Sequence, residues 1–212
     1  MSTLEALKAK AIDLFGESLG AVIATEIDEG IKKEKQGSTM KVLSWKTGFA
    51  SDAFYSKVQN GRFSGRLSVT WDGMDEFVFL PDPASPLTFV RHDGAEIIPR
   101  KMYTDGGSIP RLLRGAKKYS SWGYAPAFIV HDWLFTAKKC KHSTDVDWQF
   151  PETAWVMAEA IKTLMEVGYI NFKGEVKKIE KSEDTLFLMF LAVSSPIAKR
   201  LWDDDTSVTC VL

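Results

Sequence analysis

Two Asp-Gly pairs, Asp72-Gly73 and Asp93-Gly94, each stand between short runs whose apolar and polar side chains alternate. Such a dipeptide supplies the positive φ that a tight hairpin turn requires, so each pair predicts two antiparallel strands in a register set by the turn. Arg66 to Trp71 alternates and Glu76 to Leu80 returns; Leu87 to Arg91 then leads into Ala95 to Ile98. Two adjacent hairpins imply an antiparallel meander inside Met40 to Lys101, a stretch with the period of strands, and Val42 to Trp45 is expected to extend it. Pro81, Pro83 and Pro86 lie between the hairpins and fit a connecting loop, because proline cannot donate to a ladder.

The period is helical on both sides of this stretch. Ser2 and Glu5 have capping-box spacing, and Leu4, Leu7 and Ala11 recur at three and four residues. Leu19, Val22, Ile23, Ile27 and Ile31 then form one stripe, with Glu26, Asp28, Lys32 and Lys33 facing away, which reads as a face turned to a core. The polar run Lys33 to Ser38 marks a boundary, dividing the chain into a helical segment, 1–37, and a principal domain, 38–212. After Tyr103, helices are expected over Ile109 to Lys117, Ala125 to Lys138, Pro151 to Val167 and about Glu180 to Trp202. Pro151 suits a first turn, Gly168 suits a stop, and Asp203-Asp204-Asp205 reads as a solvated end. The expected fold class is α+β: a small antiparallel β-meander packed by C-terminal helices, with an N-terminal helical segment.

Composition removes several function classes. The 212 residues carry 27 Lys and Arg against 28 Asp and Glu, and this balance argues against bulk nucleic-acid binding, which needs a basic excess. The longest apolar run, Leu186 to Val193, is far below the roughly 20 residues that cross a bilayer as a helix, so no membrane partner is expected. Met1 to Lys10 mixes charges where a signal peptide needs an apolar run, and Cys210 stands one place too late for prenylation. Neither cysteine, Cys140 or Cys210, has a C-x-x-C partner; no zinc ribbon or disulfide framework is expected, and both read as free thiols in a reducing compartment. Seven Trp and 13 Phe favour a large packed core or an aromatic contact surface.

Two stretches stand apart: Thr104-Asp105-Gly106-Gly107-Ser108-Ile109-Pro110-Arg111, and His131-Asp132-Trp133-Leu134-Phe135. In the first, Asp105 can bond the amides ahead of it, Gly106 and Gly107 permit positive φ, Ser108 can cap a helix and Pro110 suits its first turn. The same loop, with Arg111 on the first turn, also makes a concave set of donors for a phosphate or carboxylate, so Gly106, Gly107 and Arg111 are candidate ligand-binding residues. In the second, Ala125 to Phe135 is apolar nearly all round, which predicts a buried helix. Phe128, His131, Asp132 and Phe135 share a face, so an imidazole and a carboxylate enter low dielectric and need partners. Arg111 is the expected partner of a buried Asp132, and Asp105 or a backbone carbonyl that of His131.

These two motifs, in this order, resemble the hallmark of the phage and prophage domain-of-unknown-function 1353 family, over about Phe63 to Gly168. The resemblance implies a phage origin and a shared local structure, and it supplies no activity. Members usually follow the His-Asp helix with a helix bearing an Ala-Asp pair near its start; Pro151-Glu152-Thr153-Ala154 has none, and Glu152 and Glu159 are looser substitutes.

The leading functional expectation is therefore a bacteriophage virion-associated structural or assembly protein of the tail or baseplate. Its partners would be other phage structural proteins or further copies of itself, its location the virion or the host cytoplasm during infection, and it needs no cofactor. The alternatives use the two motifs chemically. A metal-assisted hydrolase would hold its ion with Asp105, His131 and Asp132, and His92 as a further candidate, although no metal is favoured. The order His92, His131-Asp132, Asp145 mimics the His-Asp phosphohydrolases, an all-helical class, whereas His92 sits beside a hairpin turn. A nucleophilic hydrolase would activate Ser108 through His131, oriented by Asp105 or Asp132. An anionic-ligand module would use Arg111, Arg114, Lys117 and Lys118, with Tyr119, Trp122 and Tyr124 interleaved.

Overall fold

The computed structural model describes residues 48–73, 76–104, 121–142, 145, 147–171, 173–204 and 210. The expected helical segment 1–37, the strand Val42 to Trp45, the helix Ile109 to Lys117 and the diglycine loop lie outside the described residues.

The chain is α+β. Helix α1 (Gly48–Lys57) is followed by strands β1 (Arg62–Ser64), β2 (Val69–Gly73), β3 (Glu76–Phe79), β4 (Thr88–Val90), β5 (Glu96–Ile97) and β6 (Met102–Thr104). A short 3-10 turn (Ser121–Tyr124) leads into α2 (Ala125–Lys139) and α3 (Phe150–Glu166); strands β7 (Tyr169–Ile170) and β8 (Val176–Lys177) precede α4 (Glu183–Val193) and α5 (Pro196–Asp203).

Helix α1 departs from the strand period expected of Met40 to Lys101. Ser51, Phe54 and Tyr55 in the helix and Val58 just past its end are buried, three and four residues apart, so one helical stripe faces the core. Its terminal carbonyls are satisfied from a distance: Lys162 Nζ donates to Tyr55 O at 2.9 Å and Val58 O at 2.8 Å. The buried ammonium thereby supplies the positive charge that a helix C-terminus favours.

Both hairpins form and both glycines have positive φ, but only Asp93-Gly94 lies in a connecting loop; Asp72 and Gly73 belong to β2, where a register shift after Trp71 pairs Gly73 with Glu76, so they are not the two-residue turn that the sequence predicts. The hairpins belong to separate sheets, ordered β1-β4-β5 and β2-β3-β6, and the pairings between these strands are antiparallel. Phe63, Phe89 and Ile97 form a buried row across the first sheet, and Val69, Phe79 and Met102 a row across the second. The proline-rich link divides the hairpins. An isolated bridge joins Arg66 to Pro86, and Gly65 (φ +81°) lies so close that an added Cβ would meet Pro86 O at 1.9 Å, an approach only glycine allows.

Helices α2 and α3 follow the sequence reading within a residue at each end. Pro151 occupies the first turn of α3, and the Gln149 N–H donates to Glu152 Oε2 at 2.8 Å, one arm of a capping box. The single helix expected from about Glu180 to Trp202 is instead two. Ser194-Ser195-Pro196 breaks it, because proline cannot continue a helix, and Ser195 Oγ caps the next by accepting from Ala198 N at 3.2 Å. The hairpin β7-β8 after Gly168 is a further element the sequence reading did not contain.

The aromatic wealth is spent largely inside: the Phe54 ring lies 4.7 Å from Phe190, 5.4 Å from Phe187 and 5.6 Å from Trp155, joining α1, α3 and α4. The cysteines are not free thiols. Cys140, at the end of α2, forms a disulfide with Cys210 across 70 positions, a pairing set by tertiary structure that no local spacing encodes. Among the described residues, no helix is long and apolar enough to cross a membrane.

Candidate functional site

Strand β6 ends at Thr104, the first residue of the diglycine motif, and points it at α2. Thr104 Oγ1 donates to Asp132 Oδ2 at 2.8 Å, so the two motifs meet in space. The neighbouring His131 is buried, with Nδ1 3.9 Å from Asp132 Oδ1 and its ring 4.9 Å from Phe135. Phe135 in turn packs edge-on against Trp202 of α5 at 4.9 Å. Nε2 of His131 is buried and has no hydrogen-bond partner among the described residues. A buried imidazole nitrogen left in that state loses its water without compensation.

Asp132 itself was expected to be buried. Its side chain, on α2 opposite the end of β6, is instead 24 % exposed. Asp105, Gly106, Gly107, Ser108 and Arg111 lie outside the described residues, and with them the expected Asp132–Arg111 pair.

The remaining polar residues read from the sequence belong to other groupings. Asp145 is buried and accepts from two indoles, Trp133 Nε1 at 2.8 Å and Trp148 Nε1 at 3.2 Å, so it pins the α2–α3 connection. Glu152 caps α3. His92 lies with Glu159, its Nδ1 3.2 Å from Glu159 Oε1. Among the described residues, no three His, Cys, Asp or Glu side chains come together as a metal would require, so His92 does not join His131 and Asp132.

Two clusters escaped the sequence reading. Glu159, buried in the middle of α3, is held by a two-pronged contact: Arg91 Nε donates to Oε2 at 3.0 Å and Nη2 to Oε1 at 2.6 Å. Arg91 also lies over the Trp148 ring at 5.5 Å and 3.3 Å from Asp93. Burial by itself lowers the pKa of this guanidinium, but the hydrogen bonds and charge of Glu159 hold it above its ordinary value. The one acid inside the apolar run of α3 was the available signal, since a buried carboxylate implies a cation.

In the second cluster, Glu166 accepts from Tyr55 Oη at 2.9 Å and from Asn60 Nδ2, while Lys162 and Lys181 lie 4.5 and 4.7 Å from the Tyr55 ring centre. Burial pushes the Glu166 carboxyl up, yet the Asn60 and Tyr55 hydrogen bonds and the two lysine charges outweigh it and leave the group below its usual range. Burial first, then the Glu166 hydrogen bond and charge, raise the Tyr55 phenol. Both clusters fasten α3 to elements far away in sequence, and their residues are absorbed in that work.

No curated protein and no solved structure matches the chain. The family that the two motifs resemble is also the one whose model matches residues 84–167, from the proline-rich link to just past α3, and it is described as a protein of unknown function (DUF1353).

Proposed function

We propose that the chain is a bacteriophage virion-associated protein of the tail or baseplate, acting through assembly with other phage structural proteins. The observation that carries this reading is the use made of Asp132. The motif carboxylate accepts from Thr104 and thereby fastens the strand that opens the diglycine loop onto the central helix, a structural task complete without a substrate. Asp145 and Glu159 are committed to similar fastenings. The Cys140–Cys210 disulfide supports residence in a particle that leaves the reducing host cytoplasm, because such bonds persist in oxidising surroundings. The phage origin rests on the resemblance of the two motifs.

One observation favours a second reading. His131 Nε2 is buried without a partner among the described residues and sits beside Asp132, where β6 leads toward Asp105 to Arg111. A hydrolase using Ser108 or a metal with Asp105, His131 and Asp132, or an anionic-ligand module using Gly106, Gly107 and Arg111, would give that nitrogen its role. His131→Gln separates the two. With the variant folded, as judged by an unchanged circular dichroism spectrum, the assembly reading expects phage yield at the parental level. Loss of yield from the folded variant would move the function to the imidazole.

A further inference from the structure

We infer that the outer edge of β8 is a self-association site, at which a second copy of this chain pairs antiparallel about Val176. Tyr169 faces Lys177 and Ile170 faces Val176 across the β7-β8 ladder, and one step further Asn171 N donates to Glu175 O at 2.8 Å. Hydrogen-bonded and non-bonded pairs alternate in an antiparallel ladder. Asn171 with Glu175 is therefore a bonded pair, Ile170 with Val176 is not, and the Val176 N–H and C=O point away from β7. Among the described residues β8 is the last strand of its two-stranded sheet, so this donor and acceptor face outward along an edge that no described strand covers.

The side chains agree with the backbone. Val176 is 58 % exposed and Ile170 52 %, and as a directly facing pair they share one face of the hairpin. Tyr169, on the other face, packs its ring against Phe63 at 6.2 Å and donates its hydroxyl to Gly65 O at 3.0 Å. The apolar face is thus the one turned from the body of the domain.

Charge selects the occupant. A two-fold axis through Val176 sets Val176 opposite its own copy, where the two residues exchange both N–H···O bonds. The same axis brings Glu175 opposite Lys177 of the second copy, and Lys177 opposite its Glu175. Both side chains are more than half exposed and 2.8 Å apart within one chain, on the face opposite Val176, so each can turn to the matching charge across the edge. An isologous contact demands this self-complementarity, in which residue i meets j while j meets i. The resulting four-stranded sheet carries an unbroken row of Ile170 and Val176 from both copies.

Sedimentation velocity of the full-length protein tests the inference. So small a contact gives a weak dimer, and dimer is expected to accumulate over about 10 to 200 µM. Glu175→Lys and Lys177→Glu each set like charges across the edge, and each variant alone is expected to dimerise at least about tenfold more weakly. Mixed one to one, the two variants place opposite charges across the edge again, and dimer is expected to return as the heterodimer. A chain that stays monomeric throughout the range, single variants that dimerise like the parent, or a mixture that remains monomeric would each overturn the site. Both substitutions are at exposed positions, and an unchanged melting curve for each variant excludes misfolding as the cause.

Discussion

Thr104 at the end of β6 donates its hydroxyl to Asp132 in the third turn of α2, joining two sequence motifs that lie 28 positions apart. The bond ties the strand of one sheet to the central helix of the domain.

Removing the donor while keeping the shape isolates that bond. Thr104→Val leaves the half-buried carboxylate one partner poorer, and a hydrogen bond to a charged group is worth about 1.5 to 3 kcal/mol. In a domain of this size, that corresponds to a melting temperature lower by roughly 3 to 10 °C. A thermal melt of the variant that coincides with the parent's would show the bond contributes nothing.

Arg91 and Glu159 should behave as a unit. Arg91→Met strands a buried carboxylate, and breaking such a pair from one side costs about 3 to 5 kcal/mol. The double variant Arg91→Met with Glu159→Leu is expected to recover most of that loss, because the apolar pair has no charge to desolvate. Denaturant unfolding of the two single variants and the double variant measures the coupling; additive losses would contradict the pairing.

The Glu166 cluster gives the acid limb of stability a molecular origin. Its carboxyl is held below the ordinary value of 4.5 in the folded chain, so its contribution is present above that pH and is lost as pH falls through the depressed folded value. Glu166→Gln should therefore lower the melting temperature at neutral pH yet flatten its decline below about pH 4.5. A parallel decline in parent and variant would assign the acid sensitivity elsewhere.

How much of this was legible in the sequence depended on distance along the chain. The Asp-Gly hairpins, α2 and α3 could be read because turn chemistry, proline position and apolar period are local. The assignment of the hairpins to separate sheets could not, since Phe63 and Met102 choose their partners across long loops. Helix α1 was hidden because its stripe begins with the polar Ser51, and the break at Ser195-Pro196 was masked by the apolar run before it. The burial of His131 followed from a helix apolar on every side, whereas the partner observed for Asp132 is Thr104, a residue read from sequence only as the entry to a loop. Arg91 with Glu159 and Cys140 with Cys210 stand 68 and 70 positions apart, and nothing in the residues between announces either pair.

Quantitative mass spectrometry of purified phage particles digested without reductant decides whether the chain is a protein of the assembled particle. The chain is expected at a fixed copy number, with Cys140 and Cys210 recovered in one cross-linked peptide. Particles that lack the chain while it accumulates in the infected cytoplasm with both thiols free would contradict this.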